Sequence, residues 1–150
     1  MARVERTVRI SSPLEKVWSF VNSTERFSQF MEGIKEFSAS DRIAKVGTTG
    51  HMTLMVGDQE LKIESKCTEC VENVKLVFKV TKVHGAAGPK RMDIEWRLKP
   101  VETGTELTMI YDYELPYSIF GKILDKVKVS KDTEKTMDKT LQNLRNQIET

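Results

Sequence analysis

The spacing of apolar residues changes repeatedly along the chain, and each change marks a new element. Residues 4 to 10 place Val4, Val8 and Ile10 on one face, with mostly charged or hydroxyl residues on the other, and so predict a strand. Ser12-Pro13-Leu14-Glu15 then signals a helix start: a hydroxyl for the cap, a proline whose φ suits the first helical position, and a glutamate placed to close a capping box. Leu14, Val17, Trp18 and Val21 follow at helical spacing. Asn22-Ser23-Thr24 breaks that helix and predicts a second, in which Phe27, Phe30, Met31 and Ile34 repeat the pattern.

From residue 34 to about 115 the period becomes two. Turn signals recur at Gly47 to Gly50, Gly57-Asp58, Glu72-Asn73, Gly85 to Pro89 and Glu102 to Gly104, dividing the region into about six strands joined as hairpins. Parity assigns the inward faces: Met52, Leu54 and Val56; Leu61, Ile63, Ser65 and Cys67; Val74, Leu76, Phe78 and Val80; Met92, Ile94, Trp96 and Leu98; Leu107, Met109, Tyr111, Tyr113 and Leu115. One dry face and one wet face predict an antiparallel sheet. After Pro116 the helical period returns, and Phe120, Leu124, Val127, Met137, Leu141, Leu144 and Ile148 form a stripe that must cover the dry face. Lys131 and Glu134 interrupt it. Two readings stand side by side: this segment faces a water-accessible cavity or its mouth, or a kink turns Val129, Thr133 and Thr136 inward and leaves both charges in solvent.

At 150 residues the chain is expected to form one α+β domain spanning 1–150, large enough to bury roughly 70% of its unfolded surface without staples. Its 24 basic and 22 acidic residues give a net charge of +2, too balanced for a broad nucleic-acid footprint, so no nucleic acid is expected as partner. The N-terminus lacks the apolar stretch of a signal peptide and no uncharged run is long enough to span a bilayer, which points to a cytoplasmic protein. The lysines of the C-terminal helix, Lys122 to Lys139, alternate with acids, the pattern of a solvated face; transient contact with an anionic membrane surface is the alternative use.

The order of strand, two short helices, six-stranded meander and long C-terminal helix resembles the START-related, polyketide cyclase-like (SRPBCC) superfamily with the helix-grip fold. Val8 to Trp18 look like that family's strand-to-helix junction, and Trp96-Arg97-Leu98 leading to Gly104-Thr105-Glu106-Leu107 look like its last hairpin. The resemblance covers essentially the whole chain and implies a curved antiparallel sheet of about seven strands wrapped on the long helix, with a hydrophobic cavity between them. Its members include lipid and sterol carriers, polyketide aromatases and cyclases, and proteins that act through partners.

The expected function is therefore binding or transport of a hydrophobic small molecule, lipid, isoprenoid or polyketide-like. Trp96, Phe78, Met109, Leu124 and Val127 would supply apolar burial, and Tyr111 or Tyr113 would orient a polar group. The alternatives are a cyclase or dehydratase-type enzyme in which a tyrosine or Glu134 moves a proton, and a co-chaperone-like protein-interaction module. No catalytic residue, metal or cofactor is assigned, and a monomer or weak homodimer is expected. Cys67-Thr68-Glu69-Cys70 has the spacing of half a zinc site, but residues three apart on a strand point to opposite faces, which predicts one buried and one exposed thiol. The parity of His51 turns it to solvent, and no serine, histidine and acid are brought together. Gly85 to Pro89 opens no helix and reads as a flexible hairpin loop; a movable edge of the cavity entrance, together with the Gly47 to Gly50 turn, is the alternative.

Overall fold

A computed structural model describes residues 2–56, 59–84, 91–114 and 123–150, with side chains described throughout these except at 2, 55, 56, 59 and 123–130. Strand β1 (Ala2–Ile10) leads into helix α1 (Leu14–Val21), then a 3-10 turn (Thr24–Arg26) and a single helical turn, α2 (Phe27–Phe30). Six strands follow: β2 (Ile34–Ala39), β3 (Thr49–Val56), β4 (Gln59–Val71), β5 (Lys75–His84), β6 (Arg91–Val101) and β7 (Gly104–Glu114). Helix α3 (Ile123–Glu149) closes the chain. No described helix is long and apolar enough to cross a membrane.

Two local expectations are corrected. The capping box is not made: the cap position of α1 is Pro13, and no side chain bonds the free amides. Ser12 is buried instead, because its N–H turns to the Ile10 carbonyl at 2.8 Å and its own carbonyl accepts the Thr105 hydroxyl at 2.9 Å. The second helix is also shorter than its apolar spacing suggests. It ends at Phe30, because Met31 already turns to an extended conformation, and Ile34 begins a strand after a turn in which Gly33 takes φ +84°.

The seven strands form one antiparallel sheet in the order β1-β7-β6-β5-β4-β3-β2. Pairing of β6 with β7 is unbroken from Arg91↔Glu114 to Val101↔Gly104, so parity holds there without exception. The β4–β5 pair carries two bulges. Cys67 faces Phe78 but Glu69 faces Val77, so Thr68 is the extra residue; Glu64 faces Lys82 but Ser65 faces Val80, so Thr81 is extra, and its hydroxyl donates to the Glu64 carbonyl at 3.2 Å. Each bulge reverses the parity beyond it, and the second turns Val83 inward and His84 outward. Val74, expected inside, sits in the β4–β5 turn and is 50% exposed.

Helix α3 is pinned along β1 at two points. Arg6 makes a two-pronged bond to Asp138 at 2.8 and 2.9 Å, and the Glu149 carboxylate accepts the Ser11 N–H at 2.9 Å. The helix rises about 16 Å between Asp138 and Glu149 and the strand about as far between Arg6 and Ser11, so the two run side by side in the same direction. Met137, Leu141, Leu144 and Ile148 are buried beneath. Asn143 and Gln147 donate to the Phe30 and Gln29 carbonyls at 3.2 and 2.9 Å, which satisfies the end of α2 and ties it to α3.

Candidate functional site

The inner face of the sheet divides into two regions. In the first, α2 fills the space under the C-terminal half of α3. The Phe27 ring meets Phe30, Phe37 and Phe78 with centroids 5.6, 5.0 and 5.9 Å away, and Phe30 stands edge-on to Trp96 at 6.0 Å. Trp96 and Phe78 are thus packed against rings of their own chain. Met109, opposite Trp96 on β7, is fully buried in the same cluster.

In the second region Met52, Ile63 and Val80 form a separate small cluster, flanked by the half-buried side chains of Ile34, Leu54, Val83 and Met92. Among the described residues, the ring packed against this cluster is that of Phe37, which also meets Phe27 in the first region. The register lines up Phe37, Met52, Ile63 and Val83 as one apolar row across β2, β3, β4 and β5. Val83 belongs to it only because of the Thr81 bulge. Met92 touches both clusters and lies directly opposite Tyr113.

Tyr111 and Tyr113 both point inward, and their hydroxyls differ in kind. Burial pushes the Tyr111 phenol well above its ordinary value, so it is neutral across the physiological range. Tyr113 is 4% exposed, and its hydroxyl oxygen is buried with no hydrogen-bond partner among the described residues. An unmet buried hydroxyl costs about 1–3 kcal/mol. Ala2 is the β1 partner of Tyr113, and following β1 back from the Arg6–Asp138 pin brings Tyr113 level with about residue 129 of α3.

That level is where the apolar stripe of α3 fails. Lys131 is exposed, while Thr133, Glu134 and Thr136 are half-buried. Glu134 lies within electrostatic range of the Arg6 guanidinium, on the helix face that also carries Asp138, so it is held toward the β1 edge. The side chains of Leu124 and Val127, and the segments holding Val56, Gly57-Asp58, Gly85 to Pro89, Leu115 and Phe120, lie outside what is described. The sequence singles out the large aromatic residues but not Val83, because a count of two along β5 passes over the bulge, nor Ile34, because its spacing assigns it to the second helix.

The bulge at Thr68 also corrects the cysteines. Cys70 lies opposite Leu76 on the same inner face as Cys67, half-buried, with its thiol toward the Ala44 carbonyl at 3.5 Å. Both are free thiols. Burial pushes Cys67 up to about 11 and raises Cys70 as well, the opposite of what a thiolate nucleophile needs. Alkylation at pH 8 is therefore expected to leave Cys67 unmodified in the folded protein and to reach both sulfurs after denaturation, as intact mass would show.

The outer face is not uniformly wet. A cavity of about 260 Å³ has Val77 and Ile110 at its floor and Arg3, Lys79, Asp93 and Asp112 around it. Arg91 bridges Asp93 and Asp112 at 2.9 and 3.1 Å, which relieves the repulsion of two facing carboxylates. His51, His84 and Glu64 stand beside one another on the same outer face, further toward β3.

With this geometry in place, residues 1–149 match the family described as polyketide cyclase / dehydrase and lipid transport. The chain belongs to that family. Its helix-grip fold is shared with solved structures of low sequence identity. The Thermus thermophilus protein TTHA0849 superposes with a TM-score of 0.82 at 19% identity, covering 98% of this chain and 97% of that one. The Zhui aromatase/cyclase from Streptomyces sp. R1128 gives 0.80 at 14%, covering 99% and 93%. A START superfamily protein from Mycobacterium smegmatis gives 0.78 at 16%, covering 98% and 97%. No curated protein is a significant sequence match.

Proposed function

We propose that this family member binds a hydrophobic small molecule between the inner face of the sheet and the N-terminal half of α3. The apolar row of Met52, Ile63 and Val83 with Met92 forms the wall in this reading, and the Tyr113 hydroxyl gives the ligand its polar contact. The observation that carries it is the Tyr113 oxygen, buried and unpartnered among the described residues at the level where α3 loses its apolar stripe. A ligand carbonyl or hydroxyl would accept or donate the missing bond, and apolar burial at about 25 cal/mol per Å² would supply most of the affinity. The family's link to lipid transport supports the same reading.

A cyclase or dehydratase-type activity is the second reading, favoured by the family description and by the likeness to an aromatase/cyclase. Such a reaction needs a base to move a proton. Among the described residues His51 and His84 face outward and Glu134 leans toward Arg6, while the Tyr111 phenol stays neutral. Binding without turnover is therefore the better supported of the two.

Mass spectrometry under native conditions, on protein purified gently from its source cells, is expected to show an organic adduct near one per chain, identified after denaturing release. Tyr113→Phe is expected to weaken rebinding of the released compound about fivefold while raising the stability of the empty protein by about 1 kcal/mol, since an unmet hydroxyl is removed. Loss of stability without loss of binding would place Tyr113 in the core alone.

A further inference from the structure

Four lysines converge on the outer face of β4 and β5. Lys66 and Lys79 are direct cross-strand partners, Lys82 faces Glu64, and Lys62 faces His84. All four are exposed. Their positions fall within about 13 Å along β4, and neighbours stand about one screening length apart, roughly 8 Å in physiological salt. Like charges placed opposite each other on adjacent strands repel. Nearby acids would relieve such a cluster, but each has another partner. The Glu64 carboxylate lies between two imidazoles, with His51 Nδ1 at 4.0 Å and His84 Nε2 at 3.2 Å. Lys35 holds Glu60 at 2.6 Å, so Lys62 acts on that carboxylate only at longer range, and Glu36 also lies within electrostatic range of Lys35. Arg91 holds Asp93, the residue opposite Lys79, at 2.9 Å. Among the described residues the four lysines make no ion pair.

We propose that this face docks on the anionic headgroups of a phospholipid bilayer. Ammonium groups without counter-ions are complementary to a surface of phosphates, and each lysine brought near such a surface adds to the attraction. The sequence pointed instead to α3 for this contact. There Lys131, Lys135 and Lys139 alternate with Asp132, Glu134 and Asp138, and no comparable excess of cations arises. The place of the patch in the fold also favours a lipid surface. Lys62 and Lys82 precede Ile63 and Val83, which face inward in the proposed ligand wall, so docking sets the bilayer against the back of that wall. That the bilayer supplies or receives the ligand rests on the inner-face reading; the docking itself does not.

Co-sedimentation of the full chain with lipid vesicles tests the proposal. Vesicles of mixed phosphatidylcholine and phosphatidylglycerol are expected to retain the protein at low salt and to release it as salt screens the charges, whereas phosphatidylcholine alone should not retain it. Lys66→Gln with Lys79→Gln, and separately Lys62→Gln with Lys82→Gln, should each weaken retention roughly tenfold. The first pair should lose no thermal stability, since a repulsion is removed. Lys131→Gln with Lys135→Gln on α3 should leave retention unchanged. No retention, equal retention on phosphatidylcholine alone, loss in the α3 pair but not in the sheet pairs, or tighter binding to a DNA duplex at matched phosphate concentration would each overturn the proposal. An adduct in native mass spectrometry without vesicle binding would sink the docking alone, and vesicle binding without an adduct would sink the inner-face reading alone.

Discussion

Trp96→Ala is expected to lower stability by about 4 kcal/mol, a fall of roughly 8–16 °C in Tm for a chain of this size, measured by chemical and thermal denaturation. Trp96 is 2% exposed and lies between Leu76 on β5 and Met109 on β7. Its ring takes the edge-on contact from Phe30, which in turn holds Phe27 against Phe37 and Phe78. Truncation leaves a cavity that no neighbour can fill, since α2 is fixed from above by Asn143 and Gln147. The result also separates two roles for this residue. A core plug predicts a large loss of stability with ligand affinity changed only through folding, whereas a ligand contact predicts the reverse.

Gly104→Ala should have a comparable effect, about 4 kcal/mol, from a different cause. Gly104 opens β7 at φ +150°, a conformation that strains any other residue. Space is lacking too: an added Cβ would stand 2.2 Å from the Ile10 carbonyl oxygen and 3.0 Å from the Ser12 nitrogen. Both neighbours are backbone, and the same turn is fastened by the Thr105 hydroxyl on the Ser12 carbonyl. The exit of β1 must therefore move, taking the start of α1 with it. A stability within 0.5 kcal/mol of the parent, a change about the size of a neutral surface substitution, would show that the chain relaxes there at little cost.

The periodicity of the sequence predicted the sheet where its ladders are regular. On β6 and β7 every described residue assigned inward by parity is inward, because no bulge interrupts the pairing. On β4 and β5 the same rule placed Cys70 outside and passed over Val83. Thr68 and Thr81 look like ordinary strand residues, and only the register reveals them as insertions. Helix α3 was evident from its stripe, and Met137, Leu141, Leu144 and Ile148 are buried as that stripe requires.

The candidate site was less legible for a related reason. Size and parity identify Trp96 and Phe78 as inward aromatics, but they do not tell what lies opposite. Two phenylalanines of a one-turn helix occupy that space. Tyr111 and Tyr113 are equivalent in sequence, and only the surroundings show that the oxygen of Tyr113 is buried without a partner among the described residues. His51 and His84 are far apart in the chain, and their convergence on Glu64 depends on a bulge.

The most direct measurement of the central claim is a methyl-resolved NMR titration of the full chain with the hydrophobic extract of its source cells. Binding as proposed would shift the methyl signals of Ile34, Ile63, Val83 and Met92 and leave Leu107 and Met137 in place. Shifts confined to the exposed Ile43, Val46, Val71 and Val74, or none at all, would contradict a ligand site on the inner face of the sheet.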